Sequence, residues 1–120
     1  MEDMAHAVAD AAAIFKLPVL GMTGTHHERV YPKRGLTFIA EFYADLDYNA
    51  DGGLIITREH DARDAAQAAE RCVRAVREGR VTSTEGTDVA VRAETICVHS
   101  DTPNATALAR AVAEAVKPFA

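Results

Sequence analysis

The chain has 120 residues, of which 48% are hydrophobic and 26% charged, and this composition is typical of one soluble globular domain with one core. A formal net charge of −5 without a basic face excludes a typical nucleic-acid-binding protein. No apolar run approaches the roughly 20 residues of a membrane helix, and Glu2 and Asp3 stand where a signal peptide would be positive. We therefore expect a cytoplasmic protein that binds no membrane, with Cys72 and Cys97 as buried free thiols.

The first part of the chain alternates helical and strand-like patterns. Residues 3–15 predict a helix, Leu17–Met22 predicts a short buried strand, and Leu36–Tyr43 predicts a second strand rich in aromatic and β-branched residues. Between the strands, Pro32 keeps any helix within Thr23–Gly35 short or broken. The predicted apolar face of the first helix consists of Met4, Val8, Ala12 and Phe15.

The middle of the chain predicts a loop, a helix and a hairpin. The polar stretch Ala44–Gly53 predicts a loop, and Leu54–Thr57 is a brief apolar run suited to pairing at a sheet edge. Asp61 is the predicted N-cap of the next helix, and Gly79 is its predicted end. Arg80–Val91 predicts a hairpin or projecting flap. The apolar stripe of the helix consists of Ala65, Ala68, Ala69, Cys72, Val73 and Val76.

The last part of the chain carries the strongest candidate site. Thr95–Val98 predicts a strand covered on both faces, and the polar residues His99, Ser100 and Asp101 follow it. Thr102 is then the predicted cap of a final helix. Sites in α/β folds gather where a strand ends and turns into a helix, so we expect chemistry at this junction.

The alternation of elements predicts an α/β fold with a parallel sheet. Roughly three or four strands are too few to close a barrel, which needs about eight strand–helix units and ~250 residues. An open parallel sheet would leave a bare strand edge. We therefore expect a homo-oligomer or a complementing chain.

Two patterns resemble metal sites but lack essential ligands. Asp47–Leu54 matches the first half of an EF-hand calcium loop, but Arg58 occupies the position of the bidentate glutamate, so a turn rich in Asp, Asn and Gly is favoured. His26-x-Glu28 resembles the start of a zinc deaminase signature without its cysteine pair, which favours a solvated loop. The sequence therefore predicts no metal ligands.

Two interpretations of His99 stay open from the pattern alone. One is a general acid or base, or a ligand oriented by the neighbouring carboxylate of Asp101; the other is a buried histidine bonded to a backbone carbonyl. Asp45 follows the second strand at the corresponding edge of the sheet. Two carboxylates and a histidine together suit proton transfer or the binding of a small polar substrate.

Three segments show a family resemblance: EFYADLDYNADGGLIITR, REGRVTSTEGTDVAV and AETICVHSDTPNATALARAV. In order and spacing they resemble the C-terminal part of the LamB/YcsF family, whose characterised members are the A subunits of prokaryotic ATP-dependent 5-oxoprolinases. The positions that match the family's motifs are Glu41, Asp45, Tyr48, Asp51, Gly52, Leu54, Arg58, Gly79, Val81, Gly86, Thr95, Cys97, His99, Asp101 and Thr102.

The chain also departs from the family pattern. Leu46 stands where the pattern has arginine, and Ser100 where it has glycine. The family's N-terminal motifs, such as D-L-N-A-D-x-G-E and K-P-H-G, have no counterpart here. The resemblance therefore implies a single domain, residues 1–120, that corresponds to the C-terminal half of a TIM-like, seven-stranded barrel.

The resemblance implies ATP-dependent hydrolysis of 5-oxo-L-proline to L-glutamate together with other 5-oxoprolinase subunits. The catalytic residues it implies are His99, Asp101 and Asp45, and the substrate-binding residues are Glu41, Arg58 and Tyr48. ATP is the implied cofactor, and whether a metal is bound stays open. Two alternatives stay open: a truncated or split non-catalytic member that pairs with another chain, and a small-ligand binding module.

Overall fold

The computed structural model describes residues 2–120, which contain four α-helices, seven short strands and one 3₁₀ helix. The helices are α1 (Glu2–Phe15), α2 (His26–Lys33), α3 (Ala65–Glu78) and α4 (Ala105–Val116), with the 3₁₀ helix at Lys117–Phe119. The strands are β1 (Val19–Gly21), β2 (Phe38–Tyr43), β3 (Asp47–Tyr48), β4 (Leu54–Ile55), β5 (Arg80–Thr82), β6 (Asp88–Ala90) and β7 (Thr95–Cys97). This order confirms the predicted α/β alternation. The described residues form two compact units that divide between Glu41 and Phe42.

The first unit contains α1, β1, α2 and most of β2. β1 pairs with β2 in parallel, and the register places Val19 opposite Phe38 and Gly21 opposite Ala40. α1 packs against α2, and the buried residues of this core are Ala5, Ala9, Val30, Tyr31 and Leu36. The parallel pairing confirms the kind of sheet that the sequence predicts.

The predicted apolar face of α1 is wrong for three of its four residues, since only Ala12 packs against the core of this unit. Met4, Val8 and Phe15 are 61%, 46% and 71% exposed, whereas Ala5 and Ala9 are almost fully buried. Alanine side chains allow two helix backbones to approach closely, so the small-residue stripe faces α2 and the bulky stripe points away. Periodicity alone does not tell which of two neighbouring apolar stripes is buried.

Two other details of the first unit differ from expectation. The strand predicted at Leu17–Met22 is shorter, and Leu17 and Leu20 are about half exposed, so it is not a fully buried strand. The histidine pair opens a helix instead of lying in a loop, because the Thr25 hydroxyl caps α2 by accepting from the His27 N–H at 3.2 Å. Pro32 lies in the last turn of α2, in agreement with a short helix.

The second unit is built around α3 and α4, which pack against each other. The end of β2, two hairpins (β3–β4 and β5–β6) and β7 complete this unit. β5 pairs antiparallel with β6, which confirms the hairpin predicted at residues 80–91. Arg74 of α3 binds the carboxylate of Asp88 and thereby holds this hairpin against the helix. The main buried hydrophobic residues are Phe42, Ala44, Leu46, Tyr48, Ala68, Cys72, Ala75, Val81, Leu108 and Val112.

The stretch predicted as a loop at Ala44–Gly53 contains a strand. β3 pairs antiparallel with β4, and a tight turn joins them. The Asn49 side-chain oxygen accepts from the backbone N–H groups of Asp51 and Gly53 at 3.0 and 2.8 Å, and Gly52 adopts φ +82°. This geometry confirms the prediction of an Asp/Asn/Gly turn that exists for backbone reasons.

The start of α3 differs from the prediction, and its end agrees with it. Asp64 is the N-cap, since its side chain accepts from the Gln67 N–H at 2.8 Å, and Asp61 lies outside the helix. Gly79 ends the helix in the left-handed conformation with φ +63°. Cys72 and Cys97 are both free, as expected, but only Cys72 is buried, and Cys97 is partly exposed. No helix between residues 2 and 120 is long and apolar enough to cross a membrane.

Candidate functional site

A buried carboxylate, Asp45, lies at the centre of the candidate site in the second unit. The residue is 1% exposed, yet its two oxygens accept three hydrogen bonds. The His99 N–H and the Thr102 hydroxyl donate to Oδ2 at 2.7 and 2.9 Å, and His99 Nδ1 lies 2.8 Å from Oδ1. An ionised carboxylate only accepts hydrogen bonds, so the geometry assigns the proton to Nδ1 of His99.

These hydrogen bonds decide the ionisation of Asp45. Burial by itself would raise the pKa of this carboxyl, because a charge is costly in a dry interior. The bonds from the His99 side chain, the His99 N–H and the Thr102 hydroxyl outweigh burial and hold the pKa below its ordinary value of 3.8. Asp45 is therefore a fixed negative charge at neutral pH.

The ends of two strands bring Asp45 and His99 together across 54 residues of sequence. Asp45 follows β2 and His99 follows β7, and the Ala44 N–H donates to the Cys97 carbonyl at 3.0 Å. A turn after β7, with the Thr102 N–H donating to the His99 carbonyl at 3.3 Å, brings Thr102 back to Asp45. The site thus lies at the strand ends where the sequence predicts it.

Arg71 of α3 fixes the backbone on both sides of Asp45. Its guanidinium donates to the carbonyls of Ala44 and Leu46 at 3.2 and 2.9 Å. The same guanidinium lies 5.8 and 6.0 Å from the ring centroids of Phe42 and Tyr48, which are cation–π distances. α3 therefore holds the Asp45 backbone in place from within the core.

The His99 imidazole is framed by aromatic rings and remains partly open. Tyr43 and His60 stack nearly parallel to it, with ring centroids at 6.0 and 6.2 Å. Its Nε2 lies 3.9 Å from the Cys97 sulfur, and its side chain is 32% exposed. The Nδ1 side of the ring is thus committed to Asp45, while Nε2 faces the Cys97 sulfur in a ring that is partly exposed.

His60 is a member of the site that the sequence pattern does not reveal. Its side chain is 15% exposed, it stacks on His99, and its Nε2 lies 3.6 Å from the carboxylate of Asp101. A lone histidine in a polar connection carries no periodic signal. Its role becomes visible only through the tertiary contact with His99.

The connection that carries His60 is tied down on two sides. Asn104 exchanges two hydrogen bonds with the backbone of Arg63, at 3.1 and 2.7 Å. The Arg63 guanidinium also makes a two-pronged contact with the Asp47 carboxylate at 3.2 and 3.0 Å. The start of α4 and strand β3 therefore both position the segment that follows His60.

The predicted site residues differ in their contacts and in their exposure to solvent. Asp45 and His99 are in direct contact, and Asp101, whose side chain is 69% exposed, contacts His60. Tyr48 is 2% exposed, and its hydroxyl accepts from the Tyr43 N–H at 3.1 Å, so it supports the end of β2 from the core. The two remaining predicted residues are partly or fully exposed: Glu41 on β2 in the first unit, and Arg58 between β4 and α3.

Thr102 also differs from its predicted role. The sequence predicts it as the cap of the last helix, but α4 begins at Ala105 with Asn104 at the N-cap position. The Thr102 side chain is 3% exposed and is directed at Asp45. The hydroxyl gives the buried Oδ2 of Asp45 a second donor beside the His99 N–H, and a hydrogen bond to a buried charge is worth more than an exposed helix cap.

The family of this chain follows from its similarity to known proteins. Residues 1–119 match the model of the LamB/YcsF family. The chain belongs to the LamB/YcsF family. It is 46% identical over 114 residues to the 5-oxoprolinase A subunit of Mycobacterium marinum, covering 92% of this chain and 45% of the relative. The corresponding protein of Kocuria rhizophila is 41% identical over 115 residues, covering 92% of this chain and 46% of the relative.

A solved structure supports the same assignment. The lactam utilization protein from Thermus thermophilus superposes with a TM-score of 0.85 at 36% identity, covering 98% of this chain and 48% of that protein. This LamB/YcsF chain therefore spans about half the length of the relatives that it matches. The predicted family is confirmed, and so is an α/β fold with parallel strands.

The arrangement in this family member suits proton transfer. A buried carboxylate that accepts from Nδ1 fixes the tautomer and the ring orientation of a histidine, which leaves Nε2 to exchange a proton with a bound molecule. Asp45 is enclosed, so any effect of its charge on a bound molecule would have to pass through His99.

Proposed function

We propose that this chain contributes the Asp45–His99 pair to the ATP-dependent opening of 5-oxo-L-proline to L-glutamate, within a 5-oxoprolinase that includes other subunits. The observation that carries the proposal is the contact between His99 Nδ1 and the buried Asp45 carboxylate. The names of the relatives supply the substrate class, since they are 5-oxoprolinase subunits and a lactam utilization protein.

Lactam hydrolysis needs a proton donor or acceptor near the ring amide. Water must lose a proton as it attacks the carbonyl carbon, and the ring nitrogen must gain one when the C–N bond breaks. We propose that His99 Nε2 takes or gives such a proton, since Asp45 keeps the proton of the neutral ring on Nδ1. The stacked rings of Tyr43 and His60 restrict rotation of the imidazole.

We propose that partly exposed polar groups of the chain bind the substrate. Asp101 lies beside His60 and is open to a bound molecule. Arg58 is exposed, and its guanidinium suits the carboxylate of 5-oxoproline. Glu41 is kept as a further substrate-binding candidate on β2, and we propose that Tyr48 contributes indirectly by supporting Tyr43.

ATP does not fit the Asp45–His99 site as these residues are placed. A polyphosphate needs available cations or a cluster of backbone N–H groups. Two arginines that contact this part of the chain are engaged, Arg63 with Asp47 and Arg71 with the carbonyls beside Asp45. We therefore propose that the nucleotide binds outside this part of the enzyme.

The architecture of the complete enzyme is part of the proposal. We propose that the described α/β portion forms one half of a TIM-like barrel, which a complementing LamB/YcsF portion or a second copy completes. The similarity to a protein about twice as long supports this proposal.

The test is glutamate release from 5-oxoproline and ATP, measured with this chain, the complementing portion and the partner subunits together. We expect His99→Ala to lower kcat by about 10²–10⁴-fold. The matched control is His26→Ala, a partly exposed histidine of α2 in the first unit, which should leave the rate within about twofold. Absence of glutamate with every partner present, or an unchanged rate for His99→Ala, would instead assign this chain a non-catalytic pairing role.

A further inference from the structure

Helix α1 has an unusual distribution of side-chain size. Its buried residues are the alanines Ala5 and Ala9, while the bulkier Met4, Val8 and Phe15 are 46–71% exposed. Helix α1 therefore has a second face, made of large apolar side chains, that the first unit does not bury. Large apolar side chains on one helix stripe are typical of a surface that packs against another element.

Strand β1 adds a second uncovered feature. It lies at the end of the strand order, with β2 as its hydrogen-bonded neighbour among the described strands. Leu20 on this strand is 48% exposed, and Leu17, which leads into it from α1, is 52% exposed. An apolar strand with one unpaired edge is a template for a further strand.

We propose that the bulky stripe of α1 and the unpaired edge of β1 together form a docking surface for the portion of a LamB/YcsF fold that this chain does not span. The occupant is a strand–helix unit that adds a parallel strand to β1 and packs its own apolar helix face on Val8 and Phe15. This identity of the occupant rests on the proposed function, because it assumes that the chain works as part of the family's longer fold.

The lengths of the matched proteins argue for this occupant. The Thermus thermophilus protein reproduces 98% of this chain with a TM-score of 0.85, and the match covers only 48% of its own length. Successive elements of an α/β fold are usually neighbours in space, so an adjoining strand and helix are expected at a sheet edge and its flanking helix. The docking surface offers the edge of β1 to the adjoining strand and the bulky stripe of α1 to the adjoining helix.

The geometry favours this occupant over a second copy of the chain. A two-fold dimer formed through the edge of β1 would pair β1 with itself in antiparallel orientation. The pairing of β1 with β2 is parallel, and a parallel sheet is normally extended by a strand–helix crossover unit. The stripe also carries no charge at Met4, Val8 or Phe15, in keeping with an apolar partner face.

The test is co-expression of the full chain with the unmatched portion of the Mycobacterium marinum relative, made as a separate tagged polypeptide. We expect a one-to-one complex in affinity capture and light scattering. Val8→Asp and Leu20→Lys, one on each part of the surface, should each weaken it by about tenfold or more. The matched control is Ile56→Asp, because Ile56 is 77% exposed in the second unit and lies outside the surface.

Each result bears on the proposal separately from the enzyme activity. No complex, or a complex equally strong with Val8→Asp and Leu20→Lys, overturns the docking surface. Self-association of the chain that Val8→Asp abolishes assigns the surface to a second copy and also overturns it. A stable complex that releases no glutamate with its partner subunits leaves the docking surface standing and removes the proposed function.

Discussion

At the scale of single residues, the ionised carboxylate of Asp45 dictates the identity of its neighbours. A buried charge is tolerated only when its oxygens are paired, and here an imidazole, a backbone N–H and a hydroxyl pair them. The same bonds fix the orientation of the His99 ring. Stability and the proposed function therefore depend on one set of contacts.

Replacing Thr102 should reveal the cost of removing one of the three hydrogen-bond donors to this carboxylate. Thr102→Val keeps the shape of the side chain but removes its donor to Asp45 Oδ2, so we expect a loss of about 1.5–3 kcal/mol in the free energy of unfolding. The control is Thr106→Val at an exposed position of α4, which should change it by less than about 0.5 kcal/mol. Equal effects in urea unfolding would show that the hydroxyl does not stabilise the carboxylate.

The free energy of unfolding should also depend on pH through Asp45. Its pKa in the folded chain is below the ordinary value of 3.8, so the unfolded chain binds the proton at higher pH. The stabilisation is therefore complete above the unfolded pKa and is lost as the pH falls through the folded value. In urea unfolding between about pH 6 and pH 3, wild type should lose stability more steeply than Asp45→Asn. Parallel curves would contradict this account.

The sequence pattern indicated the positions of Asp45 and His99 but not the contacts of Thr102 and His60. Asp45 and His99 follow apolar runs, so their position at strand ends could be predicted from pattern. Thr102 fits a helix cap equally well, and only the presence of Asp45 in three dimensions decides its hydrogen bond. His60 has no local pattern, because its partners, His99 and Asp101, come from a distant part of the chain.

At the scale of elements, tertiary contacts choose between local signals of equal quality. Asp61 and Asp64 are both suitable N-caps for α3. The backbone N–H and carbonyl of Arg63 are held by the Asn104 side chain, which keeps residue 63 out of the helix. The helix therefore begins after Asp64. In the same way, packing against α2 decides which of the two apolar stripes of α1 is buried.

Mutation of the two aspartates should separate the predicted cap from the observed one. Asp64→Ala removes the acceptor for the Gln67 N–H and should lower the free energy of unfolding by about 1 kcal/mol. Asp61→Ala, at an exposed position three residues earlier, should change it by less than about 0.5 kcal/mol. Chemical denaturation measures both, and a larger effect for Asp61→Ala would place the helix start at the position predicted from sequence.

At the scale of the whole molecule, the family is secure and the chain spans about half of its relatives. The α/β alternation could be predicted because apolar runs and helical stripes mark most elements. The division at Glu41 and Phe42 could not, because it falls inside the apolar run that forms β2. The proposed activity requires groups beyond this chain, so its central claim is best tested in the assembled enzyme.

The most direct test is a double-mutant cycle on glutamate release by the assembled enzyme. If Asp45 acts through His99, then Asp45→Asn and His99→Gln should each lower kcat/KM by about 10²-fold, and the double variant should be within about threefold of the slower single variant. If the two losses instead multiply to about 10⁴-fold, the residues act independently, and the Asp45–His99 pair is not the catalytic unit proposed here.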